Sequence, residues 1–170
     1  SNAFTIEELN ANLEDILHAC EQDVQKLIGR KDVRLDLCSK IENGKLRVDQ
    51  GVIAGCAGGL YDSIYEAASI LKGHTGGCGD YALSVYPGSQ PIMMELVRTG
   101  VIGELMASGA TIRTAFCGPC FGAGDVPANG ALSIRHTTRN FPSREGSKPG
   151  SGQLSGVALM DARSIAATTA

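Results

Sequence analysis

The apolar positions near the amino terminus follow a helical repeat. Between residues 6 and 28 they recur every three or four positions, as on one face of an amphipathic helix. Thr5 and Glu8 have the spacing of a capping box, and Gly29 follows the last apolar position. Apolar and polar residues then alternate between residues 33 and 48, on both sides of the turn dipeptide Asn43-Gly44. This pattern predicts one long helix followed by a short hairpin.

From residue 52 the pattern changes to short apolar stretches, glycine-marked loops and helical repeats in alternation, which is typical of parallel βαβ units. We predict an α/β fold with three α/β/α layers and a mainly parallel sheet, extended at the amino end by the helix and hairpin. Two segments rich in polar residues, glycine or proline, residues 117–130 and 135–156, are predicted to be irregular. The predicted strands are residues 52–55, 81–86, 111–116 and 157–160, and the predicted helices are residues 60–71, 90–98, 101–108 and from 161 onward.

Composition and charge indicate one globular domain. The 170 residues are 43% hydrophobic, which is enough for a packed core. Residues 1–3 are typical of the remnant of a cleaved expression tag, so we expect residues 4–170 to be a single α/β domain and a fragment of a larger multidomain protein. A net charge of −3 without blocks of like charge argues against nucleic acid or a membrane as a partner. A cytoplasmic location is expected, because neither a signal sequence nor an apolar run of bilayer length is present.

Three segments with candidate chemistry follow predicted strands. Gly55-Cys56 follows the first parallel strand, Pro87-Gly88-Ser89 the second, and the segment from Cys117 to Cys120 the third. The carboxyl ends of parallel strands lie at one edge of the sheet, where open α/β sheets bind their ligands. We therefore expect the three segments to meet at this edge.

The segment Cys117-Gly118-Pro119-Cys120 supports three chemical interpretations. A thioredoxin-like dithiol requires a helix that begins at the first cysteine, but the Gly- and Pro-rich residues that follow disfavour one. A structural zinc site requires a second pair of ligands, for which His74 and Cys78 are the candidates. An iron-sulfur cluster requires one more distant cysteine, such as Cys56. Spacing alone leaves the three alternatives open.

The motifs, taken in order, resemble those of the aconitase and isopropylmalate dehydratase family. Gly55-Cys56 at a strand end, the Cys117 to Cys120 segment, and the later segment from Arg139 to Arg144 look like family motifs in the family's order. Pro87-Gly88-Ser89 and the alanine-rich residues 162–170 are also similar to family features. The resemblance covers roughly residues 50 to 170.

The resemblance implies the cluster-carrying domain of a divergent aconitase-like hydratase. The chain departs from the family pattern at Ala57-Gly58, where the family has Thr-Asn, and at Thr138, where the family has Asn. The implied activity is that of a hydro-lyase that hydrates or dehydrates a hydroxy di- or tricarboxylate in the intact protein. The isolated fragment is expected to be inactive, because family enzymes take the catalytic base from other domains.

Motif by motif, the resemblance implies a [4Fe-4S] cluster and a carboxylate site. Arginine suits the carboxylate site because its planar, permanently charged fork meets a carboxylate through two hydrogen bonds. The implied cluster ligands are Cys56, Cys117 and Cys120, and the implied substrate contacts are Arg139, Arg144 and, through its hydroxyl, Ser89.

Two other functions stay open at this point. One is an aconitase-like structural domain without catalytic activity, and the other is the CGPC dithiol oxidoreductase. Cys20 and Cys38 are interpreted as small buried apolar residues, which is common for cysteine. No role is assigned to Cys78.

Overall fold

The amino-terminal extension consists of two helices and a hairpin. The structure is a computed structural model that describes residues 3–76 and 79–170. Helix α1 spans Ile6–Ala11 and helix α2 spans Leu13–Ile28, and Thr5 and Glu8 form the predicted capping box. The prediction of one continuous helix is wrong at Asn12, which has a φ of −131°. The Asn12 side-chain amide donates to the Glu8 carbonyl at 3.2 Å, and such a local bond competes with the helical pattern.

The hairpin is shorter than the alternating pattern predicts. Strands β1 (Ile41–Glu42) and β2 (Lys45–Leu46) pair around Asn43 and Gly44, whose φ angles are 53° and 74°. Two successive positive φ angles are typical of the two-residue hairpin turn. The preceding residues 33–37 form no strand, and their alternation reflects packing against α2 instead. The buried residues of this packing are Leu13, Leu17, Val33, Leu35 and Leu37.

Five parallel strands form the central sheet, in the order β5-β4-β3-β6-β7. The strands are β3 (Gln50–Ile53), β4 (Ala82–Val85), β5 (Thr111–Ile112), β6 (Leu132–His136) and β7 (Gly156–Leu159). The predicted α/β fold with a mainly parallel sheet is confirmed. Strand β6 lies beside the central strand β3 but is not predicted, and β5 is much shorter than predicted.

The main core lies between the sheet and its helices. Ile53, Val85 and Ile134 of the sheet pack there with helical residues such as Ile64 and Leu105. Val52, Ala54 and Tyr86 form a separate small buried cluster, from which the Tyr86 hydroxyl reaches Asp125 in the irregular segment. The helices are α3 (Gly55–Gly58), α4 (Tyr61–Leu71), α5 (Gln90–Arg98), α6 (Val101–Ala107) and α7 (Ala162–Thr169). In the described part of the chain, no helix combines the length and the apolar character that crossing a bilayer requires.

Asp49 joins the amino-terminal extension to the start of the sheet. Its Oδ2 accepts hydrogen bonds from Lys40 Nζ and from the backbone N–H of Leu132, both at 2.7 Å. Lys40 is buried although it is charged. Burial acts to raise the pKa of Asp49, but the hydrogen bonds from Lys40 and Leu132 and the charge of Lys40 outweigh it, so the pKa is lowered. The carboxylate form of Asp49 therefore stabilises the fold.

Replacing Asp49 by Asn is expected to lower the free energy of unfolding by about 2 kcal/mol at neutral pH, because the buried Lys40 loses its counter-charge. A group with a lowered folded pKa stabilises the protein above its ordinary pKa and loses this effect as the pH falls through the folded value. Urea denaturation at decreasing pH should therefore show the difference from the parent chain shrinking. The control is Asp23→Asn, since Asp23 is exposed in a surface pair with Lys26. Equal effects of the two substitutions would contradict the assignment.

Candidate functional site

The end of β3 places Cys56 at the carboxyl edge of the sheet. The Ala54 N–H donates to the carbonyl of His136 at 3.0 Å, and Gly55 then takes a φ of 74° and begins α3. Cys56 is exposed, and its Sγ lies 3.1 Å from Thr138 Oγ1. Thr138 follows β6, so this contact joins the ends of two neighbouring strands.

Cys120 lies against the same turn. A Cβ atom added to Gly55 would lie 2.8 Å from Cys120 Sγ and 3.8 Å from Thr138 Oγ1. A side chain at position 55 would therefore occupy the space beside the sulfur, and its positive φ also favours glycine. The structure thus brings Cys56 and Cys120 together around Gly55, although they are distant in the sequence.

Cys117 is held next to Cys120 by a short 3-10 turn. The turn spans Gly118–Cys120, and the Cys120 N–H donates to the Cys117 carbonyl at 3.1 Å. Gly118 has no room for a side chain, because a Cβ there would lie 1.8 Å from the carbonyl oxygen of Ala123. Cys117 is exposed and Cys120 is partly buried, and both are free thiols, as is Cys56.

The local structure meets the requirements of the three chemical interpretations of these cysteines to different degrees. No α-helix begins at Cys117 within residues 117–130, all of which are described, so the feature that a thioredoxin-like dithiol requires is missing. Of the alternative zinc pair, His74 is exposed and Cys78 lies outside the described residues. The donor set of Cys56, Cys117 and Cys120 suits iron-sulfur chemistry, because all three are thiols and Gly55 leaves space beside them.

The three sulfurs are not arranged as a site for a single ion. Among the described residues they do not form a group in which every ligand atom lies within 4.8 Å of the others, as binding of a single ion would require. In a four-iron cluster each protein thiolate binds a different iron, so its ligand sulfurs do not share one ion. The placement of the thiols therefore argues against a mononuclear site here.

A buried arginine supports the loop that carries Cys117 and Cys120. Arg135 on β6 is completely buried, and its Nη1 donates to the carbonyl of Pro119 at 3.0 Å. Its Nη2 donates to the carbonyl of Asp125 and, at 3.0 Å, to Gln50 Oε1. Burial lowers the pKa of Arg135, while the nearby carboxylates of Glu145 and Asp125 raise it. Because arginine retains its charge in proteins, a buried cation lies directly behind the cysteine loop.

Asp125, whose carbonyl accepts from Arg135, forms further contacts through its side chain. The Tyr86 hydroxyl donates to Asp125 Oδ2 at 2.5 Å, and Arg113 Nη2 lies 3.5 Å from Asp125 Oδ1. Burial and the bond to Asp125 raise the pKa of Tyr86 to about 12, so the hydroxyl stays protonated as the donor. These contacts fix the irregular segment against the face of the sheet.

Glu145 is the buried acidic neighbour of Arg135. Its Oε2 lies 4.0 Å from Arg135 Nη1, and neither carboxylate oxygen has a hydrogen-bond partner among the described residues. Burial raises the pKa of Glu145, and the charges of Arg135 and Arg144 oppose this shift. Sequence reasoning missed both Glu145 and Arg135. The available signal for Arg135 was the alternation of apolar and polar residues around Leu132 and Ile134, which is typical of a strand.

Arg139 and Arg144 both lie near one aromatic ring. The guanidinium carbon of Arg139 is 5.8 Å from the centre of the Phe141 ring, and that of Arg144 is 4.6 Å from it. Both arginines are exposed, and within residues 3–76 and 79–170 neither forms an ion pair with an acidic side chain. Two cationic side chains near one ring form a concentrated positive site at the same edge as the thiols.

Two contacts tie the arginine segment to its surroundings. A Cβ on Gly122 would lie 2.9 Å from the Arg144 carbonyl oxygen, so the loop after Cys120 touches the backbone of Arg144. The Asn140 side chain donates to the carbonyl of Val157 at 2.8 Å, which fixes the segment to β7. The cysteine loop and the arginine segment are therefore in direct contact.

Ser89 lies at the same edge but has a local structural role. The Gly88 N–H donates to the Gly59 carbonyl at 2.7 Å, which packs the loop after β4 against the end of α3. Ser89 then caps α5, and its Oγ accepts from the N–H of Ile92 at 3.4 Å. The hydroxyl proton of Ser89 is not used in this contact, so it can still be donated.

Comparisons with known proteins agree with the resemblance in the sequence. The family described as "Aconitase family (aconitate hydratase)" matches residues 3–167. The chain is 36% identical to the 3-isopropylmalate dehydratase large subunit of Thermoanaerobacter pseudethanolicus over 129 residues, covering 74% of this chain and 30% of that protein. The protein of the same name from Desulfitobacterium hafniense is 35% identical over 127 residues, covering 74% of this chain and 30% of that protein. The one from Clostridioides difficile is 32% identical over 121 residues, covering 71% of this chain and 28% of that protein. The chain thus spans about 30% of the length of these relatives.

Replacing Arg135 by Met should destabilise the chain by about 3 kcal/mol, since it leaves the Pro119 and Asp125 carbonyls without their buried donor and the buried Glu145 without its counter-charge. Arg98→Met is the matched control, because Arg98 is exposed and pairs only with Glu95 one helical turn away. Its expected effect is below about 0.5 kcal/mol. Urea denaturation of the three chains measures both values. The supporting role of Arg135 would be contradicted if the two substitutions cost the same.

Proposed function

Since the chain belongs to the aconitase family, we propose that it is the cluster-carrying part of a hydro-lyase that adds water to, or removes water from, a hydroxy di- or tricarboxylate. The observation that supports this most is that Cys120 Sγ lies beside Gly55, the residue directly before Cys56, while Cys117 is joined to Cys120 by one 3-10 turn. Thiols from two distant parts of the chain meet at the edge of the sheet where ligands bind.

The proposed cofactor is a [4Fe-4S] cluster with Cys56, Cys117 and Cys120 as its ligands. With three protein ligands one iron stays open, and an open iron is a Lewis acid toward hydroxyl and carboxylate oxygens of a substrate. The Thr138 hydroxyl, 3.1 Å from Cys56 Sγ, supplies a polar contact at this ligand. Gly55 allows the backbone to approach the Cys120 sulfur closely.

The proposed carboxylate site consists of Arg139 and Arg144. Both guanidinium groups are exposed and lie near the Phe141 ring, which limits their positions while leaving their N–H groups available. A di- or tricarboxylate offers each arginine an oxygen pair for two parallel hydrogen bonds. Ser89 is proposed to donate its free hydroxyl proton to the same substrate. Together these groups would hold the substrate by its carboxylates and fix its orientation.

The rest of the active site is proposed to lie outside these residues. The chain spans about 30% of relatives that are named as large subunits. We propose that residues 4–170 are one α/β domain of a longer protein, and that the catalytic base comes from its other domains or from a smaller subunit. The isolated chain would then bind a substrate without converting it. The free thiols of Cys56, Cys117 and Cys120 suit a reducing compartment, so we propose a cytoplasmic location.

A specific observation favours the enzyme over the two alternatives. A purely structural role does not require two exposed arginines, without acidic partners among the described residues, to lie at the same sheet edge as free thiols. A thioredoxin-like dithiol would use Cys117 and Cys120 but not Cys56, which lies in the same site.

Anaerobic incubation of the chain with iron and sulfide is expected to give about four irons per chain and a broad absorbance at the blue edge of the visible spectrum. Serine at Cys56, Cys117 or Cys120 should each reduce both signals strongly, because serine replaces a thiolate ligand. Cys20→Ser is the control and should leave them unchanged. Undiminished iron and absorbance in Cys56→Ser would contradict the ligand assignment, and reduction of insulin by an iron-free chain would support the dithiol instead.

Replacing Arg139 or Arg144 by Gln should weaken the binding of a tricarboxylate to the cluster-loaded chain by about tenfold or more, because a bidentate charged contact is lost. Titration calorimetry with citrate measures this effect. The control is Arg163→Gln, an exposed arginine on α7 that pairs with Glu66 and Asp161. If citrate binds equally to the parent chain and to both variants, these arginines are not the carboxylate site.

A further inference from the structure

A second group of metal-ligating side chains lies in the amino-terminal extension. His18 and Glu21 are one turn apart on α2, and Cys38 begins the 3-10 turn Cys38–Lys40 that follows the buried residues 33–37. One ligand atom from each residue lies within 4.8 Å of the other two. No other group of three or more histidine, cysteine or acidic residues within the described residues meets this limit.

Glu21 is already oriented for such a site. Its Oε1 accepts from the backbone N–H groups of Leu37 at 2.6 Å and Cys38 at 2.8 Å. These bonds fix the carboxylate on the turn and leave Oε2 on the other side, 3.7 Å from His18 Nδ1. A hydrogen-bonded carboxylate whose second oxygen points to further ligands is a common arrangement at metal sites.

The packing of α2 fixes the two parts of the group relative to each other. Leu13 and Leu17, on the same helix as His18 and Glu21, are buried against the residues that precede Cys38. His18 is mostly exposed, with 64% of its side chain accessible, while Glu21 is only 18% accessible. The group of His18, Glu21 and Cys38 is therefore open to solvent at His18, and its other side is packed against the buried core of the extension.

The charges around Cys38 favour a cation. The carboxylates of Glu21, Glu14 and Asp36 lie close enough to Cys38 to act on it electrostatically. Their negative charges attract a divalent ion to this position.

We propose that His18, Glu21 and Cys38 form a zinc site that clamps α2 to the turn leading into the hairpin. One sulfur, one imidazole nitrogen and one carboxylate oxygen are ligands that Zn²⁺ accepts, whereas Mg²⁺ and Ca²⁺ prefer oxygen alone. Water completes the tetrahedral coordination on the open side next to His18. This site is separate from the cysteines at the carboxyl edge and does not depend on the proposed function.

Cobalt titration tests the site, because a thiolate bound to Co²⁺ has a characteristic near-ultraviolet charge-transfer band. The titrated chain carries serine at Cys56, Cys117 and Cys120, so that those thiols contribute no band. We expect one Co²⁺ per chain with a thiolate band that Zn²⁺ displaces, and loss of the band in Cys38→Ser but not in Cys20→Ser. Absence of the band, or its persistence in Cys38→Ser, would overturn the proposal.

The other two ligands are tested by affinity and thermal stability in the otherwise unchanged chain. His18→Gln and Glu21→Gln should weaken zinc binding at least about tenfold. Glutamine at position 21 keeps an oxygen that accepts from the Leu37 and Cys38 N–H groups, so the turn is preserved. Zinc should raise the melting temperature of the parent chain and of the control His74→Gln, but have little effect on His18→Gln. Equal zinc responses of His18→Gln and His74→Gln would show that His18 is not a ligand.

Discussion

The guanidinium of Arg135 connects the centre of the sheet with the loop that carries Cys117 and Cys120. The only regular structure in residues 117–130, all of which are described, is one short 3-10 turn. Loops normally direct their backbone acceptors to water, but here the carbonyls of Pro119 and Asp125 are turned inward to a buried charged donor. Because Arg135 lies on β6, which pairs directly with β3, the same contact fixes Cys120 relative to the strand that leads to Cys56.

Charge is distributed unevenly around this edge of the sheet. Arg139 and Arg144 are exposed beside Phe141, while the acidic residue nearest to them in sequence, Glu145, is buried next to Arg135. The only negative charge of this segment is therefore turned away from the solvent side. A surface arranged in this way presents cations to an approaching ligand, which favours anions over neutral or cationic ligands.

Much of the fold follows from patterns that the sequence displays directly. Helix α5 begins and ends at the predicted residues 90 and 98, and the apolar runs of β3 and β4 are recognisable as buried strands. Strand β6 is different, because one of its faces carries Ser133 and Arg135 and packs against loops rather than helices. Arg135 makes this stretch resemble an exposed segment. The distant carbonyls that accept its hydrogen bonds, and so allow it to be buried, cannot be identified from the local sequence pattern.

The candidate site likewise contains residues that sequence motifs reveal and residues that only the fold reveals. Motif order singles out the cysteines and the two arginines, whose proposed roles depend on their own chemistry. The hydroxyl contact of Thr138 with a thiol is seen only in the fold. Glu145 and Arg135 are identified only through distant contacts, as a buried carboxylate without a hydrogen-bond partner among the described residues and a buried cation. Anomalous diffraction at the iron edge from crystals of the anaerobically reconstituted chain tests the cluster assignment most directly. We expect a single compact group of iron atoms bound by the sulfurs of Cys56, Cys117 and Cys120. Iron bound at another place, or a group that Cys56 does not contact, would contradict it.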